Sequence, residues 1–364
     1  MSTASAAAAV PALELGAPLA TGEATDEGDV VLSVRDLTVR FPSDEGPVCA
    51  VSNLSYDARL GRTLAIVGES GSGKSVSSMS VLGLHNAART FMSGSILLEG
   101  EEIVGAPQER LQRLRSAKVA MVFQDPQSSL HPFYKIGNQI AEAYRAHHHV
   151  SRALAAKRAV EMLDLVGIPN PERRAKSYPH EFSGGMRQRA MIALALVNNP
   201  KLLIADEPTT ALDVTVQAQI LDLLKDLQRE FGSAIVLITH DLAVVAEVSD
   251  DILVIYAGRA VERGSARDVL ADPLHPYTWG LVQSLPSASE ELDHLRAVRG
   301  VPPSLVNLPT GCSFHPRCDF RDRVPGNACI TDLPELLPAP GAMGRLTRCH
   351  LTDPRGAMSE QALR

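Results

Sequence analysis

A glycine-rich run of eight residues, GESGSGKS from Gly68 to Ser75, constrains this chain more than any other feature. The apolar segment Thr63–Val67 precedes it, and the residues after it can start a helix. Glycines between a strand and a helix let backbone N–H groups converge on phosphate oxygens, and the helix dipole adds to the attraction. The pattern therefore predicts a loop that binds a nucleoside triphosphate, rather than a Gly/Ser-rich turn with a chance lysine. The residues of this loop predicted to contact the nucleotide are Gly68, Ser70, Gly71, Ser72, Gly73, Lys74 and Ser75.

Two adjacent acids are predicted to work beside this loop. The apolar run LLIADE ends in Asp206 and Glu207, so a buried strand would deliver both carboxylates to one edge of a sheet. In phosphate loops of this type the lysine reaches the outer phosphates and the following hydroxyl binds Mg²⁺. Asp206 is placed to hold the same ion, and Glu207 to polarise the attacking water. Taken alone, two acids at a strand end are equally consistent with a solvated edge.

Composition limits the remaining classes of function. The chain has 364 residues, 45% of them hydrophobic, with a net charge of −7, which suits a globular protein and argues against a nucleic-acid surface. No apolar stretch is long enough to cross a bilayer. Residues 1–29 lack the basic and apolar regions of a secretory signal, and their composition predicts a disordered leader. We therefore expect a cytoplasmic protein.

Apolar strands that alternate with helical segments predict an α/β domain with a mainly parallel sheet. Alternating residues in Val30–Phe41 predict a half-buried strand of an antiparallel β subdomain, and helical spacing dominates an insert at about 125–195. A hairpin with its turn at Ala257–Gly258 closes the core. After Leu285 the sequence becomes rich in proline and turns, which predicts a core over 30–285 and a small C-terminal module over 286–364.

The run FSGGMRQR, Phe182–Arg189, resembles the signature motif of ABC-transporter ATPases. Three further matches follow the order of that family: Gln124 stands at the Q-loop, Ala211–Asp213 resembles the D-loop, and His240 resembles the switch histidine. Singly, Gln124 is a polar residue at a strand exit and His240 a helix cap. Together with the phosphate loop and the two acids, they extend the resemblance over about Leu32 to Gln283.

The resemblance implies two ATPase domains that face each other head to tail and enclose ATP between them, opening after hydrolysis. It implies that Glu207, His240 and Gln124 are catalytic and that Phe41 stacks on adenine. The implied magnesium ligands are Ser75, Gln124 and Asp206. The residues implied to act on the partner's site are Ser183, Gly184, Gly185, Met186 and Asp213.

Three segments also resemble the oligopeptide/dipeptide (peptide/nickel) importer branch of this family: 124–143, 272–286 and the stretch that begins at Val301. This resemblance implies an ATPase subunit that energises a peptide importer from the cytoplasmic face of the membrane. It also implies a second ATPase subunit, typically a paralogue, two transmembrane permease subunits and a substrate-binding protein, with no nucleic acid. The alternatives are the ATPase of a nickel importer and a soluble iron–sulfur ABC ATPase acting on ribosomes or DNA.

Four of the five cysteines, namely Cys312, Cys318, Cys329 and Cys349, crowd into the C-terminal module. Four thiolates can bind a 4Fe–4S cluster or a tetrahedral zinc ion, although no pair has the tight spacing of a common zinc knuckle. The resemblance favours the 4Fe–4S cluster, with Zn²⁺ as the alternative. Free or paired cysteines in a flexible tail remain the structural alternative. The isolated Cys49 is expected to be core filler.

Overall fold

The computed structural model describes residues 29–125, 129–210, 212–285 and 298–362. The leader expected over residues 1–29 therefore lies almost wholly outside the described residues. So do residues 286–297, where the predicted core passes into the predicted C-terminal module. The proposed domain boundaries accordingly stay predictions.

The described strands form two sheets, of four and eight strands. The smaller sheet has the order β2-β1-β4-β5 and is antiparallel. The larger has the order β11-β12-β10-β9-β3-β8-β7-β6. The strands are β1 Val30–Phe41, β2 Val48–Arg59, β3 Thr63–Val67, β4 Phe91–Leu98, β5 Glu101–Glu102, β6 Val119–Val122, β7 Leu202–Asp206, β8 Ala234–Thr239, β9 Asp251–Tyr256, β10 Arg259–Ser265, β11 Leu337–Pro338 and β12 Leu346–Thr347.

Five neighbouring strands of the larger sheet are parallel, and β3 lies among them between β8 and β9. Every residue of β3, β6, β7 and β8 is buried, as expected for strands covered on both faces. The predicted α/β core with a mainly parallel sheet is thus confirmed. Because parallel strands end at the same edge, the segments after β3, β6, β7 and β8 all emerge together.

Helices pack on the sheets and on one another, and several begin at a capping side chain that accepts a backbone hydrogen bond. Ser183, for example, caps the helix that starts at Gly184. The helices are α1 Lys74–Val81, α2 Gln108–Leu114, α3 Ile136–Arg145, α4 Arg152–Leu165, α5 Pro171–Arg174, α6 Gly184–Leu196, α7 Val214–Phe231, α8 Leu242–Val248, α9 Ala266–Ala271, α10 Pro276–Gln283, α11 Ala328–Thr331 and α12 Pro354–Ala362.

The predicted hairpin is confirmed as β9 and β10, which pair antiparallel. Both turn residues have positive φ, 48° at Ala257 and 78° at Gly258. Two successive residues of this kind give the turn a twist that matches the strands it joins.

The C-terminal segment returns to the larger sheet instead of forming a separate layer. Strand β12 pairs with β10, and β11 pairs with β12 in turn. A buried ion pair fixes this return, because Arg345 Nη2 lies 2.7 Å from Glu262 Oε1 and the two side chains are 4% and 0% exposed. Phe314 is buried in the same apolar cluster as residues of β9 and β10.

Candidate active site at the edge of the larger sheet

The phosphate loop adopts a backbone conformation that demands glycine. Gly71 and Gly73 have φ values of 75° and 101°, where other residues are strained. A Cβ at Gly73 would also collide with the carbonyl oxygen of Ala50. The loop is tied to the hairpin behind it, since Gly258 N donates to Ser72 O at 2.9 Å. These contacts hold the loop open between the end of β3 and the start of α1.

Lys74 is folded into this loop. Its side chain is buried, and Nζ donates to the carbonyl oxygens of Gly68 at 2.7 Å and Glu69 at 2.9 Å. Burial lowers the pKa of the ammonium, against the opposing effect of nearby carboxylates. Ser72 Oγ is buried and, among the described residues, has no hydrogen-bond partner. A buried hydroxyl beside a cation suits a ligand that accepts hydrogen bonds, such as a phosphate oxygen.

Asp206 and Ser75 form a second pair within the site. Asp206 is buried at the end of β7, and Ser75, at the start of α1, lies close to it. Burial raises the pKa of Asp206 even though Ser75 and Lys74 favour its charged form. A hydroxyl and a carboxylate beside a phosphate loop fit Mg²⁺, which is usually held by one or two protein oxygens together with phosphates and water.

Three polar side chains contact the carboxylate of Glu207, two of them predicted from the sequence. Gln124 Nε2 donates to Glu207 Oε2 at 2.8 Å, and His240 Nδ1 lies 3.2 Å from Oε1. Thr210 Oγ1 donates to Oε2 at 2.9 Å. Burial raises the pKa of Glu207, but the hydrogen bonds from His240 and Thr210 and the charge of Lys74 outweigh it, so the pKa is lowered. A carboxylate kept ionised at this edge can accept a proton or align a water molecule.

Thr210 was missed by the sequence reasoning. It is the second of two adjacent threonines after Pro208, and nothing in the sequence distinguishes it from Thr209. Glu207 itself has a positive φ of 47°, an uncommon conformation for a side chain of this size. The turn that produces this conformation also returns the Thr210 hydroxyl to the carboxylate.

The signature residues lie at the start of α6. Ser183 Oγ accepts a hydrogen bond from Met186 N at 3.3 Å, so Gly184 and Gly185 form the first turn of the helix. Helix α6 is connected to the Glu207 turn, because the buried Gln188 donates to Pro208 O at 2.6 Å. A Cβ at Gly185 would press on Val216 at the start of α7.

Asp213 and Phe41, both predicted site residues, have contacts within the chain. Asp213 caps α7 by accepting a hydrogen bond from Val216 N at 2.9 Å, whereas Ala211 of the predicted D-loop lies outside the described residues. Phe41, expected to stack on adenine, is partly buried at the end of β1 and packs edge-on against His85 at 5.5 Å. Its role with adenine stays a prediction.

The predicted metal site at the four cysteines is not supported. The part of the chain described here contains no group of three or more His, Cys, Asp or Glu side chains that could hold a metal ion. Burial is the main cause that raises the pKa of all four thiols, to about 12 at Cys318 and Cys349. The two histidines beside these cysteines contact backbone carbonyl oxygens, His315 that of Cys312 and His350 that of Asp332, each at 2.9 Å.

A phosphate loop, an acidic strand end and a capped signature helix in this arrangement define an ATPase of the ABC class. The family described as "ABC transporter" matches residues 51–210, and the family "Oligopeptide/dipeptide transporter, C-terminal region" matches residues 261–324. The dimeric ATP-binding cassette MJ0796 bound to ADP and Pi is similar in structure, with a TM-score of 0.58 and 28% identity over 65% of this chain and 99% of that one.

Relatives in sequence show which group of ABC ATPases the chain resembles. The oligopeptide transport ATP-binding protein OppD of Escherichia coli is 48% identical over 90% of this chain and 94% of its own length. The dipeptide transport ATP-binding protein DppD of Haemophilus influenzae is 47% identical over 80% of this chain and 88% of its own. The chain belongs to the family of ATP-binding subunits of oligopeptide/dipeptide ABC transporters.

Proposed function

We propose that this chain, an ATP-hydrolysing subunit of a peptide-class ABC importer, energises transport by binding and hydrolysing ATP at the edge of its larger sheet. The observation that carries the mechanism is the convergence of Gln124, Thr210 and His240 on Glu207. These four residues come from three segments of the chain, which follow β6, β7 and β8. Lys74 is near enough to this carboxylate to influence its pKa.

ATP binding is assigned to the phosphate loop. Lys74 would exchange its two carbonyl partners for phosphate oxygens, and the unpartnered Ser72 hydroxyl would donate to the same group. Ser75 and Asp206 would hold Mg²⁺, with Gln124 at its side, and the ion would neutralise charge on the phosphates.

Hydrolysis is assigned to Glu207. Its lowered pKa keeps it ionised at neutral pH, so it can orient a water molecule and accept its proton. Gln124 holds one oxygen of the carboxylate, Oε2, and His240 holds the other, Oε1. His240 would also contact the γ-phosphate. The helix N-terminus at Ser183–Gly185, together with Met186 and Asp213, would close over the ATP of a second ATPase subunit.

The proposed assembly contains that second subunit, a paralogue, with two permeases and a substrate-binding protein, at the cytoplasmic face of the membrane. Among the described helices, none is long and apolar enough to span a bilayer. The segment after Gln124 presents Phe133 and Tyr134 with 82% and 57% of their surfaces exposed. Exposed aromatic side chains of this kind suit a permease contact.

The test is the variant Glu207→Gln in the assembled transporter. We expect ATP binding to persist while kcat falls by at least about 100-fold, the usual contribution of a general base. Glu230→Gln, an exposed glutamate on α7, is the matched control. Peptide uptake should stop together with hydrolysis, and Glu207→Gln turning over ATP at the parental rate would refute the assignment.

Affinity purification from detergent-solubilised membranes separates the alternatives. Recovery of permeases with uptake of peptide supports the proposal, uptake of Ni²⁺ without peptide favours the nickel importer, and recovery of ribosomes or DNA without permeases favours the soluble ATPase. No step of the mechanism uses a metal at the four cysteines. Iron with matching sulfide, or zinc, in protein purified without oxygen would restore the predicted metal site.

A further inference from the structure

An arginine of the C-terminal segment reaches into the phosphate loop. Arg317 Nη1 lies 2.9 Å from Glu69 Oε2, although the two residues are 248 positions apart in the sequence. The arginine side chain is only 6% exposed and the glutamate side chain 22%. Glu69 follows directly on Gly68, so this ion pair joins the C-terminal segment to the loop assigned to ATP.

The guanidinium is held in place by several other groups. Its Nε donates to Arg299 O at 2.7 Å, its Nη2 to Gly300 O at 3.3 Å, and its Nη1 also to the Tyr256 hydroxyl at 3.3 Å. The group also lies over the rings of Tyr256 and Phe314, at 5.8 and 5.9 Å from their centroids. A planar group fixed on so many sides presents one direction to Glu69, and little conformational entropy is lost on pairing.

Glu69 is tied to the site by its backbone as well. Its N–H donates to the Tyr277 hydroxyl at 2.9 Å, and its carbonyl oxygen accepts from Lys74 Nζ at 2.9 Å. The residue therefore joins three groups: the arginine of the C-terminal segment, a tyrosine of α10, and the lysine that binds phosphate. A shift of the Glu69 side chain would move the backbone that positions Lys74.

The same part of the C-terminal segment forms a wall beside the loop. Residues 301–306 and the loop residues Glu69–Ser72 face each other across a cavity of about 490 Å³. Arg317 binds the carbonyl of Gly300, immediately before this wall, and the carboxylate of Glu69 on the opposite side. One side chain thus joins the two walls.

We propose that Arg317 is a positioning residue of the nucleotide site, which holds Glu69 away from the bound phosphates and neutralises its charge. The inference rests on the ATP-binding function proposed above. Without the arginine, the Glu69 carboxylate would be an unpaired negative charge beside a polyanion, and like charges at short range weaken binding. The effect is expected on ATP affinity more than on the chemical step.

The experiment measures KM for ATP and kcat of the assembled transporter for Arg317→Gln, Arg317→Lys and the double variant Glu69→Gln/Arg317→Gln. Arg317→Gln should raise KM about tenfold with kcat within about twofold, the effect of losing one charge-assisted hydrogen bond that acts in binding. The double variant should recover most of the lost affinity, because the uncompensated carboxylate is gone. Arg321→Gln, which removes an exposed arginine of the same segment, should leave both constants unchanged.

Arg317→Lys keeps the charge but not the planar fork, so its KM should lie between those of the parent and Arg317→Gln. This variant carries the test if Arg317→Gln does not fold, as judged from its thermal unfolding. An unchanged KM in Arg317→Gln, or a double variant no better than Arg317→Gln, would overturn the proposal. A parent chain that binds no ATP would instead overturn the proposed function, so the two failures are distinguishable.

Discussion

At the scale of single residues, the environment of Glu207 decides what the site can do. Its two oxygens accept hydrogen bonds from side chains on both flanks, and Thr210 and Gln124 share the same oxygen, Oε2. The threonine is the nearest of these donors in sequence, three positions away. Its hydroxyl stabilises the charged form of the carboxylate.

Thr210→Val should slow hydrolysis without weakening ATP binding. Losing the hydroxyl removes one of the causes that lower the pKa of Glu207, so the pKa rises and the acid limb of the kcat–pH profile moves to higher pH. We expect kcat near neutral pH to fall about two- to tenfold, the range for one hydrogen bond, with KM within about twofold. Thr209→Val is the matched control, and superimposable pH profiles for the two variants would contradict the role given to Thr210.

The sequence predicted the local motifs of the site, but not the residues far away in the chain that contact them. Gly68–Ser75, Asp206 and Glu207 each stand in a recognisable local pattern of strand, turn and helix. The Glu69–Arg317 pair has no such pattern, because an arginine before a cysteine says nothing about a glutamate 248 positions earlier. Only the folded packing of the C-terminal segment on Tyr256 and Phe314 defines that contact.

Among the secondary-structure elements, the long or strongly apolar strands could be predicted from the hydrophobic pattern of the sequence. Strand β1, for example, begins and ends at the predicted residues Val30 and Phe41. The two-residue strands β5, β11 and β12 could not be predicted, because two residues carry no periodicity. The buried His275 is a further feature that the sequence did not indicate. It caps α10, where Nδ1 accepts from Tyr277 N at 3.0 Å.

His275 should make the fold sensitive to acid. Burial, assisted by the charge of Arg348, lowers its pKa from 6.5 to about 3, so the folded protein keeps it neutral while the unfolded chain protonates. Its contribution to stability is therefore complete above pH 6.5 and is lost progressively as the pH falls towards about 3. The loss amounts to about 1.4 kcal/mol per pH unit.

His275→Asn keeps a capping acceptor and removes the titrating ring. The free energy of unfolding in urea should be measured at about pH 7 and about pH 5. We expect its decrease between these pH values to be about 2 kcal/mol smaller in the variant than in the parent. The exposed His180→Asn should behave like the parent. Equal pH dependence in His275→Asn and the parent would show that the ring is not held neutral by the fold.

At the scale of the whole molecule, one buried arginine joins the C-terminal segment to the core. Arg345 binds Glu262 of β10 and also Asp272 Oδ2 at 3.1 Å. The two carboxylate oxygens of Glu262 also accept hydrogen bonds from the backbone N–H groups of Leu274 and His275. The pair unites the sheet, the start of α10 and strand β12 in a single network.

Arg345→Met should lower the free energy of unfolding by about 3–5 kcal/mol, because it leaves a buried carboxylate without its partner. Arg355→Met is the matched control, since Arg355 binds the same Asp272 at 2.8 Å but is 44% exposed, and its loss should cost at most about 1 kcal/mol. The only tryptophan, Trp279, packs on Phe320 at 5.7 Å and reports on the C-terminal segment by fluorescence. Equal unfolding midpoints for the two variants would contradict the prediction.

The pairing of β12 with β10 also has a consequence for self-association. Without residues 337–347, β10 would be the outermost strand of a largely apolar sheet and would expose unpaired N–H and C=O groups to other chains. In the intact fold the outermost strand at this edge, β11, is only two residues long and contains Pro338, which has no N–H to offer a further strand. The C-terminal segment thus serves as a terminator of the sheet, which discourages copies of the protein from joining edge to edge.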